Sequence, residues 1–76
     1  MPRFFFHTED GRCFPDESGS ELPDLAAAKR EALATLGEML RRDEAFWQTE
    51  HFRLLISRTR ATGRPLYTLD VSGGDG

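Results

Sequence analysis

Residues 24–42, DLAAAKREALATLGEMLRR, decide how the rest of this chain is arranged. Apolar side chains recur at Leu25, Ala28, Ala32, Leu36, Met39 and Leu40, with Leu33 at the margin, which makes one stripe along an α-helix. Asp24 can cap the free N–H groups of the first turn, and the alanines at 26, 27, 28, 32 and 34 add propensity. Arg41 and Arg42 suit the carbonyl end, and Glu38 is spaced to pair with Arg42. Eighteen residues from Leu25 span about 27 Å. Gly37 is the dissonant residue, costing roughly 1 kcal/mol against Ala in an exposed helix interior; close approach of the helix to a sheet is the usual reason for keeping such a glycine.

Working outward, each flank of the helix reads as a β-hairpin. Arg3 to Thr8 is an aromatic-rich strand, Glu9-Asp10-Gly11 is a turn with Gly11 at a positive-φ position, and Arg12-Cys13-Phe14 returns until Pro15 stops it. Asp16 to Pro23 is a loop. After the helix, Asp43 to His51 is a connection carrying Phe46 and Trp47. Phe52 to Thr59 is the clearest strand, with Phe52, Leu54 and Ile56 on one face and Arg53, Leu55 and Ser57 on the other. Ala61-Thr62-Gly63 turns the chain, and Pro65 to Val71 returns. The expected fold is α+β in the order β-β-α-β-β: an antiparallel four-stranded sheet with one helix on one face, a single domain over 1–71 and a flexible tail at 72–76. One helix covers one sheet face. Phe5 and Leu55 point to the other, so a second copy of the chain is the expected cover.

Seventy-six residues allow one domain with a thin core, and Cys13, the single cysteine, supplies no disulfide framework. Phe4-Phe5-Phe6 is too short for a signal-peptide core, and no apolar run nears the roughly 18–20 residues of a membrane span. A soluble cytoplasmic protein is expected. The net charge of −3 argues against a general polyanion binder. It is unevenly spread, at −4 over residues 1–24, −1 over 25–50 and +2 over 51–76.

Candidate chemistry is sparse. His7 and Cys13 lie on two arms of one hairpin and could in principle make an activated thiolate, but nothing marks an oxyanion hole or an orienting third group. Asp16, Glu17, Glu21 and Asp24 form an acidic cluster without the alternating ligand spacing of a Ca²⁺ loop. No catalytic residue, metal or cofactor is therefore expected. Arg53, Arg58, Arg60 and Arg64 with Tyr67 form a basic second hairpin, a nucleic-acid surface in the alternative reading. Phe46 and Trp47 serve either as a lid on the core or as an interface anchor. With Phe5 and Leu55 they are the candidate partner-binding residues.

Three segments resemble a known family: Met1-Pro2-Arg3-Phe4-Phe5-Phe6-His7 with Asp10-Gly11, then Glu21-Leu22-Pro23-Asp24-Leu25-Ala26-Ala27-Ala28 with Glu31-Ala32, and Thr62-Gly63-Arg64 with Leu66. They are similar to a family of bacterial proteins of roughly 80 residues that is a domain of unknown function. The resemblance implies no catalytic residue, cofactor or partner. A fainter likeness, to antitoxins of the HicB type, rests on a Leu-Pro segment before an Ala-rich helix; only two strands are read before the helix here, and Asp24 follows the proline. The function expected is a non-enzymatic protein-interaction module, a homodimer with or without a further protein partner, and alternatively a nucleic-acid-associated or antitoxin-like regulator.

Overall fold

A computed structural model describes residues 1–42, 51–60 and 64–74. The chain runs β1 (Arg3–Glu9), β2 (Cys13–Phe14), β3 (Ser20–Glu21), α1 (Leu25–Arg42), β4 (His51–Ser57) and β5 (Tyr67–Ser72). All pairings are antiparallel, in the order β2-β1-β4-β5, with β3 also on β1. The α+β class, the antiparallel sheet and the helix on one face hold as expected. The sheet has one more strand than the four read from sequence. β3 is only two residues long, too short for an alternation to reveal, and its pairing with Arg3 and Phe4 raises the strands before the helix from two to three. Ser72 closes β5 rather than opening the tail.

The helix forms as its sequence dictates. The Asp24 Oδ1 accepts the Ala27 N–H at 2.8 Å, the N-cap bond that satisfies one orphan donor of the first turn. Arg42 Nε lies 3.0 Å from the Glu38 carboxylate at the other end. Ala28, Ala32 and Leu36 are buried, with Leu25, Met39 and Leu40 beside them. They meet Phe4, Phe52, Leu54 and Ile56 from β1 and β4, and Phe6, Leu69 and Val71 flank this core. Small alanines at 28 and 32 let the helix sit close to the large side chains of the sheet, so the core is one layer thick.

Gly37 is not a point of close approach. It is exposed, and a Cβ built there meets nothing within 4 Å. The helix touches the sheet through Ala28 and Ala32 instead. Gly11, in contrast, adopts φ 103° in the β1–β2 turn, as the hairpin chemistry requires. Two expected features, the connection containing Phe46 and Trp47 and the Ala61-Thr62-Gly63 turn, lie outside the described residues.

Gly37→Ala should therefore stabilise the fold by about 0.5–1 kcal/mol, raising the melting temperature by roughly 4–8 °C per kcal/mol for a domain of this size. Leu54→Ala, at a fully buried site, should cost about 2–5 kcal/mol. Thermal and urea unfolding followed by circular dichroism measure both; destabilisation by Gly37→Ala would contradict the exposed placement of that residue.

Candidate interaction surface

The register sorts side chains onto two faces. Phe4 and Phe6, Phe52, Leu54 and Ile56, and Tyr67, Leu69 and Val71 face the helix. Phe5, His7 and Glu9, Arg53, Leu55 and Ser57, and Thr68 and Asp70 face away from it. This second face was expected to need cover from another copy. At Phe5 and Leu55 that expectation is corrected: they are 7% and 9% exposed within one chain.

Much of the cover hangs on His7 and Asp16. His7 is fully buried, its ring near-parallel to that of Phe5 at 6.3 Å between centroids. Its Nδ1 accepts the Asp16 N–H at 3.0 Å, so the ring proton belongs on Nε2, which donates to the Thr59 carbonyl at 3.1 Å. One imidazole thus ties the loop after β2 and the segment after β4 to the centre of the sheet. The Asp16 carboxylate completes the fastening. Oδ2 accepts the Phe6 N–H at 3.2 Å, and Oδ1 accepts the N–H groups of Ser18 and Gly19, each at 3.1 Å. Burial opposes the charge on Asp16, but the backbone donors of Gly19, Phe6 and Ser18 outweigh it and hold the carboxyl below its ordinary value. Gly19 makes the loop possible: φ is +73°, and a Cβ there would stand 2.9 Å from both Arg3 Cγ and Phe5 Cε2.

The expected chemical groups are drawn into structure. Both ring nitrogens of His7 are bonded to backbone, so neither is presented to the exposed Cys13. Within the acidic cluster, Asp16 serves the loop, Asp24 caps the helix and Glu21 faces Arg3 at 3.4 Å. A cavity of about 330 Å³ borders α1 at Glu31, Ala34, Thr35, Glu38, Met39 and Arg42, among the described residues, and none of these is a nucleophile held by a base.

Of the four arginines of the second hairpin, Arg53 and Arg58 are engaged with neighbours. Arg53 Nε bonds the Asp70 carboxylate at 2.6 Å with Glu9 at 4.0 Å from Nη1, and the Asp70 carboxyl is held below its usual range by that hydrogen bond. Arg58 lies over the Phe4 ring at 5.4 Å. Arg60 and Arg64 are exposed. Phe46 and Trp47 fall outside the described residues.

What the sequence reading placed only at the margin is Leu33, which is 64% exposed; Leu66 and Tyr67 are 50% and 38% exposed. Lys29 Nζ lies 4.1 Å from the centre of the Tyr67 ring, so this row of the helix overlooks β5. Leu33, one turn on from Lys29, and Tyr67 thus lie on the β5 side of the helix-bearing face. Leu33 follows Ala32 directly in the helical stripe, and only the strand order, with β5 outermost, decides that its side is left open.

A family model described as a domain of unknown function, DUF6894, matches residues 3–72. No curated protein and no solved structure matches the chain. The expected likeness to a domain of unknown function is thereby upheld. Among the described residues no helix is long and apolar enough to cross a membrane.

The fastening loop generates a pH-dependent expectation. Because folding lowers the pKa of Asp16, its stabilising effect is present above the ordinary carboxylate pKa and is lost as pH falls below about 4. Asp16→Ala should cost about 1–3 kcal/mol at neutral pH, since Phe6, Ser18 and Gly19 lose their acceptor, and should flatten the acid limb of the stability profile. Gly19→Ala should destabilise at every pH. Urea midpoints at pH 7 and in acid check this; an unchanged acid limb in Asp16→Ala would remove the carboxylate from that role.

Proposed function

The chain belongs to the DUF6894 family, a domain of unknown function, and from that premise we propose that it is a small non-enzymatic interaction module that works by self-association. The observation that carries this reading is the exposure of the apolar side chains of Leu33, Leu66 and Tyr67 on a chain whose core is one layer thick. A single small domain with no disulfide gains stability from association, and burying Leu33, Leu66 and Tyr67 against a partner would remove apolar area from water. The free, exposed thiol of Cys13 fits a reducing, cytoplasmic location. With Phe5 and Leu55 covered, the partner-facing role passes from the second sheet face to these exposed side chains; Phe46 and Trp47 keep their candidacy as anchors.

A second reading, a nucleic-acid-associated or antitoxin-like regulator, draws on Arg58, Arg60 and Arg64. Lys29 and Tyr67 add a cation and a stacking surface beside the same hairpin. Against it, Arg53 is committed to Asp70 and the net charge is negative.

Light scattering at high micromolar concentration should give twice the monomer mass; a strictly monomeric protein would sink the reading. On a single-stranded nucleic-acid column the protein should pass unretained. Salt-dependent retention that Arg60→Ala and Arg64→Ala abolish would select the second reading instead.

A further inference from the structure

The chain treats the two edges of its sheet differently. Along the outer side of β1 the edge is closed in pieces: β2 at Thr8 and Glu9, the Asp16 carboxylate at Phe6, β3 at Arg3 and Phe4, and the Leu22 N–H on the Pro2 carbonyl at 3.0 Å. The outer side of β5 carries no such partner among the described residues. β5 is six residues long, YTLDVS, without proline, lysine or arginine, and its single charge, Asp70, is already matched by Arg53. Sheets ordinarily blunt an exposed edge with charge, proline or a bulge, and a long regular edge left bare is a template for another strand.

The hydrogen bonds fix which backbone groups that edge offers. The Phe6 N–H points at Asp16, away from β4, so Phe5, His7 and Glu9 bond toward β4. Their partners Ser57, Leu55 and Arg53 face β1, and Phe52, Leu54 and Ile56 therefore face β5. The Leu66 N–H on the Ile56 carbonyl at 2.7 Å, just before β5 begins, shows that the Ile56 carbonyl faces β5. Opposite them, Tyr67, Leu69 and Val71 bond inward. Thr68, Asp70 and Ser72 direct their N–H and C=O groups outward.

The helix supplies an apolar shelf above this edge. Lys29 over Tyr67 fixes the position of α1 along β5. One helical turn on, about 6 Å, comes Leu33; two strand residues on, about 6.7 Å, comes Leu69. Leu33 thus stands level with Leu69, its side chain largely open to solvent.

Resting on the self-association proposed above, we infer that β5 pairs antiparallel with β5 of a second copy about a two-fold axis at Leu69. The sheet then continues across both chains with the two helices on one face. The strand is self-complementary in this register. Leu69 meets its counterpart, Tyr67 meets Val71, and Thr68 meets Asp70, so apolar side chains pair on the helix face and hydroxyl meets carboxylate on the other. An axis at Asp70 would set two carboxylates directly opposite, which is destabilising. The Leu69 axis also brings both Leu33 side chains toward the junction, where each covers part of the shelf.

Thr68→Pro tests the edge directly. The Thr68 N–H faces outward, so proline removes no bond to β4 yet denies an incoming strand its donor. Leu33→Lys tests the shelf at an exposed position. In sedimentation equilibrium the wild type should be a dimer, and each variant should weaken it by about tenfold or more with its far-UV circular dichroism unchanged. In a Cys13→Ser background, Leu69→Cys should form an interchain disulfide under mild oxidation; this cross-link decides the matter should Thr68→Pro fail to fold. A dimer that Thr68→Pro and Leu33→Lys leave intact, or that Leu69→Cys does not cross-link, overturns the β5 interface while self-association stands. A monomeric wild type overturns both.

Discussion

Asp16 does the work of a strand. β2 and β3 are two residues each, and between them the outer edge of β1 would leave the Phe6 N–H without an acceptor in a partly buried position. The carboxylate takes that N–H with one oxygen and folds its own loop with the other, while its backbone N–H binds His7. Other features depend on this single side chain. It lets β1 be a central strand although its outer neighbours are fragments. It holds the loop against Phe5 and His7, and so turns part of an apolar sheet face into interior. An unpaired buried donor costs on the order of 1–3 kcal/mol, comparable to burying one large apolar side chain.

The parts of the fold that were legible in sequence are those decided locally. The α1 stripe, the Asp24 cap, the Glu38–Arg42 pair, the Gly11 turn and the alternation of Phe52, Leu54 and Ile56 each depend on neighbours a few residues away. The parts that were not legible depend on contacts remote in sequence. His7 lies in a polar-looking run, His7-Thr8-Glu9, and its role comes from Asp16 and from Thr59, which is 52 residues away. The alternation did place His7 on the same face as Phe5, and that was the available sign of a buried ring. The cover over Phe5 required knowing that the Asp16–Gly19 loop folds back, which a positive φ at Gly19 permits and a hydrophobicity pattern does not register. Gly37 shows the converse error, since a plausible structural reason for a helical glycine was absent at the site itself.

The charge asymmetry along the chain has a similar explanation. The acidic first third resembles a ligand or partner surface only while its carboxylates are counted together. In the fold, Asp16 accepts backbone donors, Asp24 caps a helix and Glu21 faces Arg3. The basic last third is divided in the same way. Arg53 is matched by Asp70 and Glu9, and Arg58 packs its guanidinium on Phe4. Such exposed pairs add little to stability on their own.

Once β1 is central and its far edge is closed, the remaining unsatisfied element is fixed by topology. A four-strand path has two edges, and β2, Asp16 and β3 use the short residues before the helix to finish one of them. Among the described residues, no element pairs with the outer side of β5. The single helix cannot compensate. It is centred on the β1 and β4 side chains through Ala28, Ala32 and Leu36, so its flank at Lys29 and Leu33 overhangs β5 without covering it. Among the described residues, the unpaired edge of β5 and the exposed apolar flank are one consequence of one geometry, a single helix laid over the middle of a sheet. A strand added at β5 satisfies both demands together, whereas a partner docking on Leu33 alone would leave the outward groups of Thr68, Asp70 and Ser72 to water. That coincidence is the reason the proposal takes the form of strand addition rather than side-chain contact alone.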